Sequence, residues 1–181
     1  MIIKFRIISP ENEDFVRDIE IFDDSSFLEL HEAIQAACDY DSSIMSAFYT
    51  SNQDWEREQE IVLQIIDEDE QQDSLLMDET LVNEFFNKKG QRLIYIYDFF
   101  SIRLFLIEVV NIRKAEKEDA DLDFPICTLY KSHPPQQIKL DDISPEAFSD
   151  NFDDEFGNDF DEYGLDDDDF YGFENIDDYD F

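Results

Sequence analysis

Apolar positions along this chain change their period several times, and each change marks an element. Residues 2–8, IIKFRII, and 15–22, FVRDIEIF, are rich in β-branched and aromatic types, which suit a pleated, half-buried surface. Pro10, Glu11, Asn12, Glu13 and Asp14 lie between them and supply turn chemistry, so the spacing predicts an N-terminal β-hairpin. In its second strand Val16, Ile19 and Ile21 do not alternate strictly; a bulge near Asp18 would bring all three inward.

At residue 26 the period changes to that of a helix. Ser26 followed by Glu29 is a capping box, in which the hydroxyl and the carboxylate each satisfy a free backbone N–H. Phe27, Leu30, Ile34, Ala37 and Cys38 then fall on one stripe, which predicts a helix lying across the hairpin with that stripe buried. Further strands are predicted over 43–51 and 61–66, separated by the polar NQDWEREQE. Residues 67–80 carry seven acids and read as a loop. Thr80 is placed to cap a short helix, LVNEFF, stopped by Asn87, Lys88, Lys89 and Gly90. Two strong strands follow at 92–100 and 102–112, and Ser101 between them suggests a tight hairpin, one long bent strand being the other reading. From Arg113 the pattern weakens, and residues 124–140 carry three prolines and no clear period. The fold class expected is therefore α+β: an N-terminal β-hairpin and one capped helix on a mostly antiparallel sheet, followed by a disordered acidic tail. The boundary falls between residues 1–140 and 141–181.

Charge sharpens that boundary. The formal net charge is −35, and from Asp141 onward there are 18 Asp/Glu and no Lys or Arg. The first 140 residues are acidic too, with 30 acids against 13 bases. A nucleic-acid surface needs clustered cations to displace phosphate counterions, so direct nucleic-acid binding is not expected. Anionic membrane is disfavoured for the same reason, and no apolar run approaches the roughly 18–20 residues of a membrane helix. The opening MIIKFRIISPENEDF is too short and too soon acidic for a secretory signal. Cys38 and Cys127 make no disulfide framework. Together these readings suggest a cytoplasmic protein.

Four stretches carry a family resemblance: FRI at 5–7; IEIFDDSSFLELHEAIQAACDYD at 19–41, with Phe48 after it; KGQRLIYIYDF at 89–99; and FPIC at 124–127 with Pro134 and Pro135. In them the chain resembles the plasmid Ri open-reading-frame-three-like domain family, mobile-element passenger proteins of unassigned function. The helix block, with Leu30-His31, Ile34-Gln35, Ala37 and Tyr40-Asp41, is the most specific part. The resemblance implies a single α+β domain in a bacterial setting and brings no established activity. Two departures matter. Where the family continues Tyr-Asp-Phe with Gly-Asp-Asp-Trp and a nearby His, this chain has Phe100, Ser101, Ile102 and Arg103. Where the family shows Cys-Pro-Pro-Glu-Asp-Cys-Gly-Gly, it has Ser132, His133, Pro134, Pro135, Gln136 and Gln137. If those segments form a working site in relatives, it is degraded here.

Candidate chemistry is sparse. His31 sits beside the apolar stripe without a nucleophile or carboxylate in evident reach, and reads as a partly buried histidine bonded to a backbone carbonyl. Cys127 and His133 could be two metal ligands, but a structural zinc site wants four; Cys38 and His31 would have to complete it from a distant helix. The simpler reading is a buried thiol and a surface imidazole. Asp98 ends a strand, where sites accumulate, yet it lacks a base, a metal or a phosphate loop beside it. The four glycines are Gly90, Gly157, Gly164 and Gly172, so the domain holds no Gly-rich phosphate cradle. No catalytic, cofactor or metal residue is assigned.

What remains is the tail. Phe148, Phe152, Phe156 and Phe160 recur every four residues, followed by Tyr163, Phe170, Tyr171, Phe173, Tyr179 and Phe181. Like charges at every residue or two disfavour an isolated helix, while rings set among acids suit coupled folding on a partner. These ten rings are the expected contact residues, and the expected partner is a basic protein. In one version the tail imitates nucleic acid, carboxylates standing for phosphates and rings for bases. A second version acts in cis, on clusters such as Lys88, Lys89 and Arg92 or Arg113, Lys114 and Lys117. The function expected is non-enzymatic protein binding; the alternative is a degenerate enzyme or metal-binding member of the family.

Overall fold

The computed structural model of the chain describes residues 1–41, 44–65, 74–99 and 101–137. Among them the elements run β1 (Ile2–Ser9), β2 (Asn12–Phe22), α1 (Phe27–Cys38), β3 (Ala47–Ser51), β4 (Arg57–Val62), β5 (Leu75–Leu76), β6 (Arg92–Asp98), β7 (Arg103–Arg113) and β8 (Ile126–Lys131). The strands form one sheet in the order β5-β4-β3-β6-β7-β1-β2-β8. Every pairing is antiparallel except β4 with β5. This is the expected α+β class, one helix on a mostly antiparallel sheet. The ten rings from Phe148 to Phe181, and the disorder expected around them, lie outside the described residues.

α1 forms where its local signals place it. Ser26 Oγ accepts from the Glu29 N–H at 3.2 Å, and the Glu29 carboxylate accepts from the Ser26 N–H at 2.8 Å. The helix ends on Asp39, which takes a left-handed conformation at φ 56° without being glycine. Phe27, Leu30, Ile34, Ala37 and Cys38 are all buried, in one core with Phe5, Ile7, Phe15, Ile19, Phe48, Tyr95, Tyr97 and Phe105 of the sheet. Phe27 lies at the centre, its ring within 6.1 Å of those of Phe48, Phe85 and Phe86.

Several sequence expectations need correction. The β1–β2 register runs unbroken from Ile2↔Phe22 to Ile8↔Val16, and its shift comes at the turn end, between Ile8 and Ser9. β2 therefore keeps strict alternation past Asp18. Ile19 and Ile21 join the core under α1, and Val16 is buried on the opposite face, across from Ile8. The irregularity at the level of Asp18 belongs instead to the β2–β8 pair, where Thr128 is the extra residue. The strand read at 61–66 begins earlier, at Arg57, because pairing of Phe48 with Ile61 and of Ser51 with Arg57 overrides the polar composition. Leu75 and Leu76, in the stretch read as a loop, add a short edge strand. Thr80 does not cap the next turn, since its hydroxyl donates back to the Leu76 carbonyl. That turn is a single 3-10 turn, Val82–Glu84, closed by Glu84 accepting from the Leu81 N–H. β8 forms where no period was visible. Of the two readings at Ser101, the hairpin is the one that forms.

The sheet face away from α1 carries a row of alternating charge. Asp18, Arg6, Glu108 and Arg92 stand opposite one another on β2, β1, β7 and β6. Arg6 grips Asp18 with two bonds of 2.9 and 3.1 Å, and Arg92 Nε lies 3.2 Å from Glu108. At the row's end the Arg92 guanidinium stacks 4.6 Å from the centre of the Trp55 ring. Such pairs contribute to register more than to net stability. Among the described residues, no helix is long and apolar enough to cross a membrane.

Candidate functional site

Four connections meet at one end of the sheet: the β1–β2 turn, the β6–β7 hairpin, the residues after α1, and the stretch after β8. Their floor is aromatic. Phe105 of β7 stacks on Phe15 at 5.0 Å and lies 4.5 Å from Tyr97, and Tyr40 packs on Tyr97 at 5.2 Å. Strand alternation directs Tyr95 and Tyr97 of β6 to the same face as Phe105 of β7, and the left-handed turn at Asp39 brings Tyr40 back over them.

Polar groups are fixed on this floor. Glu11 in the β1–β2 turn accepts from the Tyr97 hydroxyl at 2.8 Å and from Arg103 Nη2 at 2.6 Å. Burial pushes the Glu11 carboxyl up, but the bonds from Arg103 and Tyr97 outweigh it and hold the group below its ordinary range. Burial, and then the bond to the Glu11 carboxylate, pushes the Tyr97 phenol the other way. The carboxyl is thus held towards its charged form and the phenol towards its neutral form.

Residues 132–137 lie across this floor. Their carbonyl oxygens accept from four side chains, on β2, β7 and the connection after α1. Arg17 Nη2 donates to Ser132 O at 3.0 Å, and Asn12 Nδ2 donates to His133 O at 3.0 Å. The Tyr40 hydroxyl donates to Pro135 O, and Arg103 Nη1 donates to Gln136 O. The Gln137 amide closes the set by pairing with both the N–H and the carbonyl of Asp41, at 2.6 and 3.2 Å. The two segments read in the sequence as departures from the resemblance, at Arg103 and at 132–137, thus meet here. Neither Glu11 nor Tyr97 stood out as a site residue in the sequence; the Tyr40-Asp41 pair, already part of the most specific motif, was the available signal.

The other candidates fall elsewhere. His31 is 2 % exposed beneath α1, and its partner is the Tyr95 hydroxyl at 2.8 Å, not a backbone carbonyl. Tyr95 also accepts from Gln35 Nε2 at 2.6 Å, and a neutral His31 Nδ1 is the natural acceptor for the Tyr95 proton. Burial accordingly lowers His31 from 6.5 to about 4. Between those values the unfolded chain binds a proton that the fold refuses, so a contribution present above pH 6.5 is lost as pH falls towards 4. That loss is on the order of 3 kcal/mol. Urea unfolding of wild type and His31→Gln at pH 7 and pH 4.5 should show a flatter pH dependence in the variant by about this amount; identical dependences would contradict the assignment.

Cys38 is buried, and burial pushes its thiol up to about 12, far from a reactive thiolate. The Cys127 thiol donates to Leu129 O at 3.2 Å, and His133 is exposed. Among the described residues no three His, Cys, Asp or Glu converge as metal ligands. Asp98 accepts from the Ser101 N–H at 3.3 Å within the β6–β7 turn. The arginines of the two basic clusters are held by carboxylates, Arg92 inside the fold and Arg113 at its surface, where about 33% of its side chain is exposed. Arg92 is buried against Glu108, and Arg113 is tied to Glu20 and Asp119 at 2.8 and 2.6 Å.

Comparison with known proteins agrees with this fold. No curated protein matches the chain. Among solved structures it is similar to a protein of unknown function, MM3350, from Methanosarcina mazei Go1, at 20% identity, with a TM-score of 0.59 over 71% of this chain and 68% of that one. At that identity the likeness concerns the fold alone. The model of the plasmid pRiA4b ORF-3-like protein family matches residues 3–143. With the match spanning well over half of the chain, the chain belongs to the plasmid pRiA4b ORF-3-like protein family.

Proposed function

We propose that this protein is a non-enzymatic binding module of the cytoplasm whose acidic, aromatic C-terminal segment engages a basic protein. One observation carries the reading: the folded domain ties up most of its arginines with its own groups and leaves its acids in excess. Arg6, Arg92, Arg103 and Arg113 are paired with carboxylates, and Arg17 is bonded to backbone carbonyls. The domain's surplus of acid therefore adds to the 18 uncompensated acids from Asp141 onward. The summed field steers basic partners inward, and the ten rings supply what charge alone does not, apolar anchors that bury on contact.

The test compares pull-downs from the host lysate with residues 1–181 and 1–140, at low and moderate salt. Basic proteins held by the full chain should be absent with 1–140, and should weaken as the screening length shrinks from about 10 Å at 0.1 M towards about 3 Å at 1 M. The same partners on both chains would refute the proposal.

A further inference from the structure

We propose that the floor formed by Tyr40, Tyr97 and Arg103 is a binding groove for an extended, proline-containing peptide of another protein, and that residues 132–137 occupy it in cis. This site lies on the folded domain and is separate from the acidic segment.

The mode of contact is the first argument. The groove reads the backbone of its occupant: donors from Arg17, Asn12, Tyr40 and Arg103 meet the carbonyls of Ser132, His133, Pro135 and Gln136. An adjacent strand would offer N–H groups as well, but Pro134 and Pro135 have none, so the segment cannot continue the sheet after β8. Beyond Ser132, where the chain turns at φ 59°, Pro134 and Pro135 fix the backbone, and side-chain donors meet its carbonyls as in the recognition of proline-rich segments. The Arg103 guanidinium lies 5.5 Å from the centre of the Tyr97 ring and forms one wall, held there by Glu11.

Weak anchoring of the occupant is the second argument. No residue of 132–137 belongs to the hydrophobic core, whose nearest contributor in sequence is Cys127. Ser132, His133 and Gln136 are exposed, the two prolines are half-buried, and Gln137 is the one buried residue of the segment. The segment can therefore leave without opening the core, as locally unfolding units do. An incoming peptide needs to present only carbonyls at the same spacing and an amide side chain able to pair with Asp41, as Gln137 does.

The test uses the full chain and a labelled synthetic peptide, acetyl-Ser-His-Pro-Pro-Gln-Gln-amide, followed by fluorescence anisotropy. Loosening the internal segment with Pro134→Gly, Pro135→Gly and Gln137→Ala should strengthen binding of the added peptide at least tenfold over wild type. Adding Tyr40→Phe, which removes one donor, should weaken it again by about threefold to tenfold. Equal binding by wild type and the loosened chain, or binding indifferent to Tyr40→Phe, would overturn the proposal. Should the loosened chain not fold, hydrogen exchange on wild type decides. The Asp41, Gln136 and Gln137 amides should exchange well ahead of β6 and β7; exchange together with those strands contradicts a displaceable segment.

Discussion

Phe105→Ala should destabilise the domain by about 3–5 kcal/mol, a large part of the total stability of a domain this size. The ring is fully buried, and it touches Phe15, Tyr40, Tyr95 and Tyr97 at once. Truncation leaves a cavity that β6 and β7 cannot close, because their register fixes Tyr95 opposite Phe105. The effect also has a local component. Tyr40 and Tyr97 lose their common support, so residues 132–137 should exchange their amides faster even where the protein stays folded. Urea unfolding gives the first quantity and hydrogen exchange the second. Phe105→Leu, which fills most of the space, should lose far less, about 1 kcal/mol. Similar losses in both variants would mean that the site has no tightly packed floor.

Arg17→Met should cost about 2–4 kcal/mol, although it removes no ion pair with a carboxylate. The side chain is 4 % exposed and donates to four backbone carbonyls: Ala37 at 3.1 Å, Val16 at 2.9 Å, Lys131 at 2.8 Å and Ser132 at 3.0 Å. Its guanidinium also lies 4.6 Å from the centre of the Phe15 ring. One residue thereby joins the C-terminal end of α1, the last residue of β8 and the start of the segment in the groove. Methionine keeps the packing but leaves carbonyl oxygens short of donors at about 1–3 kcal/mol for each that stays buried, offset by no longer having to bury a cation. Arg17→Lys should recover less than half of the loss, since one ammonium cannot span carbonyls on three elements as a planar fork does. Equilibrium unfolding of the two variants measures this directly. Full recovery by lysine would show that charge, and not the fork, is what the position requires.

How legible these features were depended on how local their causes are. The capping box at Ser26 and Glu29 lies within one helical turn, so its sequence signature and its bonds coincide. The hairpin strands and the buried stripe of α1 were readable for the same reason. Val16 was misplaced because three apolar residues invited a bulge, while the strand in fact keeps its alternation and buries both of its faces. β8 was invisible because it is an edge strand with exposed Thr128 and Tyr130; its existence is dictated by β2, more than a hundred residues away. Arg17 left no mark at all. A guanidinium whose acceptors are backbone carbonyls has no partner residue type to search for. The groove was half visible: Pro134-Pro135 and Tyr40-Asp41 stood out one by one, but their meeting depends on the long return of the chain after β8.

The proposed binding of a basic protein rests on rings as well as charge, and this is where it can be tested most directly. The full chain should be compared with a full-length variant in which Phe148, Phe152, Phe156, Phe160, Tyr163, Phe170, Tyr171, Phe173, Tyr179 and Phe181 are replaced by serine, every carboxylate being kept. Both are titrated with the basic partner captured by the wild type, at one moderate salt concentration. The account predicts that the serine variant loses at least tenfold in affinity, about 1.4 kcal/mol or more, despite its unchanged net charge. Equal affinity would contradict it and reduce the acidic segment to a source of charge alone.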